Sequence, residues 1–199
     1  MHTILYWKLQ FIAHGLLSIM RDRFTKLGVD LFACVDNAVK VLSNYSNDEL
    51  LTLKSRDGQS ILHIACFKPN AFLKILLREF KARGILEEMM LMKDGTTGWT
   101  PLHCAVWHED ISNLDTILAT AVDNKLLTEL LFSQDFNLNT ALHISFYHAK
   151  VEISGILIGT AYDDCILTAL LSYKNDIGKT AIEYLKDDSP LHDLVTDYT

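Results

Sequence analysis

The stretch that decides the fold runs Gly98-Trp99-Thr100-Pro101-Leu102-His103-Cys104-Ala105, near the middle of the chain. Two other Leu-His pairs stand forty residues to either side of it, at Leu62-His63 and Leu142-His143. Each pair carries its surroundings with it, because most of the same phrase recurs around both. A fourth and weaker copy follows at Gly178-Lys179-Thr180-Ala181-Ile182-Glu183. Self-similarity at a fixed period predicts a stack of structural repeats.

The repeated phrase resembles the G-x-T-P-L-H-x-A signature of ankyrin repeats, which it matches in full between Gly98 and Ala105. Leu138 replaces the turn glycine of the third copy, and Glu183 replaces the histidine of the fourth. The fourth copy is therefore expected to be a terminal, capping repeat. The resemblance extends over residues 50 to 186 or so. It implies an all-α ankyrin-repeat solenoid of stacked helix pairs with an N-terminal helical cap.

Apolar spacing predicts a second helix in each period, followed by either a short third helix or an extended helix end. The second helix is indicated by apolar residues at i, i+3 and i+4, namely Phe72/Ile75/Leu76, Leu114/Ile117/Leu118 and Ile153/Ile156/Leu157. A further apolar cluster begins at Leu86, Leu126 and Ile166, and it explains why the period exceeds the usual thirty-three residues. We expect a degenerate helical cap over residues 1–53, repeats over 54–93, 94–133 and 134–173, and a C-terminal capping repeat over 174–199.

The N-terminal twenty residues are apolar but have no basic region or cleavage site typical of a signal peptide. Their apolar side chains fall along one helical face, at Leu5, Leu9, Ile12, Leu16 and Ile19. We interpret this segment as an amphipathic helix that covers the open end of the solenoid. Two alternatives remain: a helix lying on a membrane surface, and a docking element for a partner or a homodimer. In the second alternative, Trp7 and Phe11 would be exposed.

Composition limits the partners. The formal charge of −7, without any cluster of Lys and Arg, argues against a nucleic-acid partner. No segment is suited to span the membrane, and we expect a monomer. The four cysteines are widely spaced and form no C-x-x-C pair, so we interpret Cys34, Cys66, Cys104 and Cys165 as reduced core thiols of a cytoplasmic protein.

Residues that could carry chemistry are explained by the fold. The resemblance implies that His63, His103 and His143 bond to the adjoining turn, so neither a metal nor another cofactor is expected. The acids at Asp163-Asp164 are interpreted as solvated acids of a loop or a helix start, where acids favour the helix N-terminus. We predict no enzymatic activity. The enzymatic alternative would have to lie in the N-terminal 53 residues, where no nucleophile has a base beside it.

The resemblance also implies where a protein partner would bind, because the residues after the Leu-His phrase line the concave face of an ankyrin stack. Those residues are Phe67 and Lys68, Trp107 and His108, and Tyr147 and His148. Trp99 and Phe136 are large aromatics predicted at loop tips. Aromatic side chains are frequent interface hot spots, so these eight residues are the predicted partner-binding set. The alternative is that the rings fill space beside an enlarged loop.

The predicted function is a non-enzymatic protein-binding module. The long repeats resemble both the ankyrin effectors that intracellular bacteria secrete into host cells and the inhibitor of kappa B branch. The degenerate repeats, rich in Ile, Leu and Asn, favour an effector that acts on host proteins in the host cytosol. A regulatory protein like the inhibitor of kappa B is the alternative.

Overall fold

The computed structural model describes residues 38–185 and 189–198. Within those ranges the chain is helical, apart from an isolated antiparallel bridge between Lys174 and Thr180. The helices are α1 Ala38–Leu42, α2 Asn47–Thr52, α3 Ile61–Ala65, α4 Asn70–Arg83, α5 Leu86–Leu91, α6 Pro101–His108, α7 Ile111–Asp123, α8 Leu127–Phe132, α9 Ala141–Tyr147, α10 Val151–Asp163, α11 Leu167–Ser172 and α12 Pro190–Tyr198. A short 3-10 helix, Ile182–Tyr184, precedes α12.

Each of the three full repeats contains three helices, so the short third helix is the alternative that the structure shows. The Leu-His phrase forms the first helix, as α3, α6 and α9, and its fourth copy forms the 3-10 turn. The long second helices are α4, α7 and α10, and the short third helices are α5, α8 and α11. Helix α2 lies ahead of the first Leu-His pair and buries Leu50, so the periodic pattern begins before that repeat. The exact repeat limits given above remain our proposed division.

The first helices begin where the sequence predicts because a hydroxyl residue precedes each one. Ser60, Thr100 and Thr140 are the N-caps, with extended backbone, and each forms a reciprocal capping box with the histidine three residues later. Pro101 adds to this in α6 because its fixed φ suits the first helical position. Imidazole here takes the place that Glu or Gln usually has in this motif.

The core is one continuous apolar cluster that runs from Ala38 to Val195. Leu62, Leu102 and Leu142 are buried in it at equivalent positions. Helix α12 packs against α10 and covers the last layer. No single repeat could bury its apolar face alone, so the layers stabilise one another.

One expectation about polar residues is wrong. Cys66 and Cys104 are buried free thiols, but Cys165 is exposed, because it follows the end of α10 in a left-handed conformation with φ of 59°. Asp163 and Asp164 are the last residue and the C-cap of α10, and both are exposed, as expected of solvated loop acids.

The turn before each first helix needs a left-handed residue. Gly58, Gly98 and Gly178 supply it with φ between 74° and 78°, and Leu138 adopts φ of 57° at the same position. The third repeat therefore keeps the same turn, although leucine replaces its glycine. A non-glycine residue in this region costs roughly 1–2 kcal/mol.

Neighbouring turns are joined by backbone hydrogen bonds. The N–H of Gly95 donates to the Asp57 carbonyl at 3.0 Å, and that of Phe136 donates to the Thr97 carbonyl at 2.9 Å. The N–H of Asp176 continues the series with a 3.0 Å bond to Asn137. The turns therefore form one connected edge of the stack.

The amphipathic helix predicted within residues 1–20, its alternatives and Cys34 all lie outside the described residues. Among the helices that the structure describes, none is long and apolar enough to cross a membrane.

Candidate binding groove

Three buried histidines fix each first helix to its own turn and to the next repeat. In His103, Nδ1 lies 2.8 Å from the Thr100 hydroxyl and accepts from the Thr100 backbone N–H at 3.2 Å. Its Nε2 lies 3.3 Å from the Asn139 carbonyl of the following turn. Because Nδ1 accepts from a backbone N–H, the proton of the neutral ring is on Nε2, which donates to the carbonyl. His63 and His143 repeat the arrangement toward Trp99 and Lys179, at 2.8 and 3.2 Å.

Burial holds these rings neutral. Desolvation lowers the pKa of His63 and His143 below the usual value, and it lowers the pKa of His103 to about 4. Hydrogen bonds to carbonyls and nearby Asp94 and Asp135 raise the pKa in part, but burial is the largest effect. The structural role predicted for these histidines is confirmed by their contacts.

Glu183 ends this series. Its carboxylate accepts from the Thr180 N–H at 2.6 Å and from the Thr180 hydroxyl at 3.0 Å, so it serves its own turn as the histidines do. These bonds hold the pKa of Glu183 below its usual value. A carboxylate has no N–H to donate to a further layer. The substitution read from the sequence as a mark of the terminal repeat therefore has a physical reason.

Buried polar side chains stabilise the turns by hydrogen bonds to the backbone N–H groups. Asp94 accepts from three backbone N–H groups, those of residues 96, 97 and 98, at 2.7 to 3.0 Å. Asp135 takes the same role in the third turn, and its other oxygen accepts from Asn139 at 3.2 Å. Asn175 then donates to Asn139 at 3.0 Å and to the Tyr184 hydroxyl at 2.6 Å. This network connects the third turn to the fourth and orients Tyr184.

Five rings form a continuous series above these turns, which we call the aromatic row. It consists of Trp99, Trp107, His148, Tyr147 and Tyr184. Successive ring centroids are 5.3, 4.7, 4.9 and 5.4 Å apart, and three of the four contacts are edge-on. Such tilted and edge-on pairs are the favourable arrangements for aromatic rings.

The aromatic row lines a groove of about 530 Å³ between the first helices and the turns of residues 94–185. Its other walls are Thr96, Thr97, Asp135, Phe136, Asn137, Asn139, His143, Ile144, Asn175, Asp176 and Ile177. Three large apolar side chains at the groove are mostly exposed: Phe136 at 59%, Tyr147 at 64% and Ile177 at 66%. Exposed apolar clusters of this kind are typical of interaction surfaces.

Lys150 holds Trp107, one of the residues that line the groove. Its ammonium donates to the carbonyls of Val106 and Trp107 at 3.1 and 2.6 Å, and it pairs with Glu109 at 2.8 Å. It also lies 5.3 Å from the centroid of the Trp107 ring. Lys150 thus satisfies the free carbonyls at the end of α6 and holds Trp107 in place.

Five of the eight predicted partner-binding residues line the groove: Trp99, Trp107, Phe136, Tyr147 and His148. The other three, Phe67, Lys68 and His108, do not line the groove. Phe67 packs instead against His108, with ring centroids 5.0 Å apart. Sequence reasoning missed Ile177 and Tyr184 in this set. Tyr184 stands where the other copies have core residues, and that departure is a usable signal.

The described residues offer little for catalysis. No group of three or more His, Cys, Asp or Glu side chains there could hold a metal ion. Burial raises the pKa of the Cys66 and Cys104 thiols well above the usual value, so both stay protonated and are poor nucleophiles.

The fold and the histidine series define a class of protein that known relatives share. Residues 31–125 match the family described as Ankyrin repeats (3 copies). The chain has the ankyrin-repeat fold, and repeats of this kind typically serve as modules for protein–protein interaction.

Many solved structures share the fold, and no curated protein matches the sequence. One similar structure is the ankyrin repeat domain of Bcl-3, described as a unique member of the IkappaB protein family. It is 18% identical with a TM-score of 0.61, over 80% of this chain and 61% of that domain. The chain thus spans about 61% of the length of that domain.

Proposed function

We propose that this protein is a non-enzymatic binding module that holds a partner protein in the groove between its turns and its first helices. The observation that carries the proposal is the exposure of Phe136, Tyr147 and Ile177 on the walls of one groove. They come from the third turn, the end of α9 and the fourth turn. A partner that covered all three would bury apolar area from two repeats at once.

The chemistry of the walls suits a peptide segment. Tyr147 offers a large ring with few rotatable bonds, and a central aromatic anchor of this kind is worth roughly 2 kcal/mol or more in an interface. Asn137 and Thr96 are exposed beside it, with groups that can bond a peptide backbone. A groove of about 530 Å³ has room for a few side chains of the partner.

The alternative, that the aromatics only fill space, accounts for part of the row. Trp99 and Trp107 are half-buried and pack on each other, and Trp107 is also held by Lys150. It does not account for Tyr147 and Ile177, because about two thirds of each side chain remains in contact with solvent. The proposal therefore depends on the exposed members of the groove.

The test is affinity capture from cell lysate with the wild-type chain and with Tyr147→Ala/Ile177→Ala. The matched control is Val122→Ala/Tyr162→Ala, which removes side chains that are 50% and 52% exposed and line no part of the groove. We expect the groove variant to lose at least nine tenths of a partner that wild type and control retain. Circular dichroism checks that all three are folded. Equal capture by all three would rule out the groove.

We further propose a bacterial effector acting on host proteins, on the support of the degenerate repeats rich in Ile, Leu and Asn. The alternative is a regulator like the inhibitor of kappa B, and the fold it shares with the Bcl-3 domain favours that alternative. The identity of the captured protein separates the two. A free-living source organism without a host-directed secretion system would exclude the effector.

A further inference from the structure

Charge is unevenly distributed along the chain. From Asp94 to Thr199 there are sixteen acidic and five basic residues, which gives that part a formal charge of −11. The groove lies within this acidic part, between residues 96 and 184. One exposed carboxylate, Asp176, is on its wall beside Ile177. The ammonium of Lys179, 5.4 Å from the centroid of the Tyr184 ring, offsets part of this charge, but the surrounding repeats remain acidic overall. An apolar groove among acidic repeats favours a positively charged, amphipathic occupant.

The chain itself contains a segment of that kind. Met1–Lys26 has four basic residues, one acidic residue and the apolar stripe from Leu5 to Ile19. Its charge of +3 contrasts with that of the repeats that form the groove. If helical, its first twenty residues would be about 30 Å long, which matches three or four repeat layers at roughly 8–10 Å each.

The connection to the described part of the chain is long enough. The description begins at Ala38, in α1, which packs against α4 of the first repeat. Residues 27–37 can span up to about 35–40 Å when extended. Reaching the third repeat from the first takes roughly 20 Å at the usual spacing of packed helices.

We propose that Met1–Lys26 occupies the groove of its own chain and that a partner must displace it. The apolar stripe covers Tyr147 and Ile177, and the basic residues offset the acidic charge of the surrounding repeats. This inference rests on the proposed function of the groove, and it makes binding of a partner a competition with an internal segment.

The experiment measures binding of a fluorescein-labelled peptide, with the sequence of Met1–Lys26, to the full-length chain by fluorescence anisotropy. The peptide is titrated against wild type, against Leu9→Asp, and against the control Gln10→Asp. Leu9 is on the apolar stripe, and Gln10 faces the opposite side of the predicted helix. We expect Leu9→Asp to bind the peptide at least ten-fold more tightly than the other two, because it frees a groove that the wild-type segment fills at high effective concentration.

A second set of variants locates the binding site. Adding Tyr147→Ala/Ile177→Ala to the Leu9→Asp chain should weaken peptide binding at least ten-fold, and adding Val122→Ala/Tyr162→Ala should leave it unchanged. A peptide with its three C-terminal basic residues, at positions 21, 23 and 26, changed to Glu should bind at least ten-fold more weakly. Leu16→Asp repeats the release at another position of the stripe, so a folding defect of one variant does not decide the result.

The outcomes are distinct. Equal peptide binding by wild type and both release variants would overturn the inference, as would binding that survives loss of Tyr147 and Ile177, which places the segment elsewhere. A dimer in light scattering that Leu9→Asp dissolves would place it on a second copy and overturn it too. If no variant binds the peptide while the groove variant still loses its captured partner, this inference fails and the proposed function stands. If the groove binds the peptide but no captured protein depends on it, the proposed function fails instead.

Discussion

At the scale of single residues, the turns show how a missing glycine is tolerated. Leu138 holds φ of 57° where the other three repeats have glycine, and its side chain is 45% exposed. The backbone N–H groups of residues 137 and 139 donate to the Asp135 carboxylate, and these bonds hold the turn in this conformation. The strain of roughly 1 kcal/mol is thus offset by the turn's own hydrogen bonds.

Replacing Leu138 with glycine should therefore stabilise the protein by about 1 kcal/mol, because it removes the left-handed strain. The free energy of unfolding is measured by chemical denaturation. Leu138→Ala is the control, since it shortens the side chain and keeps the strain. A gain of the same size in both variants would mean that the side chain, and not the backbone, is responsible.

Gly98 and Gly178 make a matched pair for the opposite change. A Cβ at Gly98 would lie 2.6 Å from the Phe136 ring and 2.8 Å from its backbone nitrogen, whereas nothing lies within 4 Å of a Cβ at Gly178. Gly98→Ala should cost about 3 kcal/mol or more, and Gly178→Ala only the conformational penalty of about 1 kcal/mol. Thermal unfolding of the two variants compares them directly, and similar losses would show that contact with Phe136 is unimportant.

At the scale of helices, the first helices are joined by groups whose protonation matters. His63, His103 and His143 are neutral in the folded chain, and desolvation lowers the pKa of each. The unfolded chain takes up these protons near pH 6.5, before the folded chain does. The contribution of these histidines to the free energy of unfolding is therefore fully present above pH 6.5. It is lost as the pH falls toward the pKa of the folded state, which is about 4 for His103.

We expect the free energy of unfolding to fall between pH 6.5 and 4, with His103 alone contributing on the order of 3 kcal/mol. His103→Gln keeps a side chain that can serve the capping box but does not titrate. This variant should be less stable at pH 7.5 and should show a smaller pH dependence over that interval. An unchanged slope would mean that other groups cause the acid sensitivity.

Helix ends give a further prediction. The side chain of Lys150 is only 7% exposed, and its ammonium satisfies two carbonyls at the end of α6 while pairing with Glu109. Lys150→Met should destabilise the protein by about 2 kcal/mol and increase hydrogen exchange near Trp107. Lys125→Met serves as the control, because Lys125 is an exposed lysine in another linker between helices. Equal effects of the two substitutions would show that the contacts of Lys150 with the end of α6 do not stabilise the protein.

At the scale of the whole molecule, the sequence predicts the stack because its signals are local and repeated. The Leu-His phrase, its cap hydroxyl and the apolar spacing predict α6, α7 and α8 in order, and the forty-residue period predicts their copies. The groove was only partly predictable. Trp107 and Tyr147 follow from position within a repeat, but the role of Tyr184 depends on a hydrogen bond from Asn175 and on a ring contact with Tyr147 of the preceding layer.

Contacts across layers also explain the errors. Cys165 lies in an apolar stretch of sequence, yet the chain reverses direction there and turns the thiol outward. Phe67 has the same position in its repeat as Trp107 and Tyr147, but it meets His108 and lies outside the groove. Periodicity identifies equivalent positions, and the neighbours in space decide what each position does.

The side chain at position 183 gives the array a direction of growth. The histidine of each layer donates a hydrogen bond to a carbonyl of the next layer, whereas the Glu183 carboxylate can only accept hydrogen bonds. A gene that lengthened this protein by copying one unit at that end would gain a layer without its linking bond until the codon for Glu183 changed to one for histidine. The array can therefore be extended from within by duplication of a middle unit more readily than at this last layer.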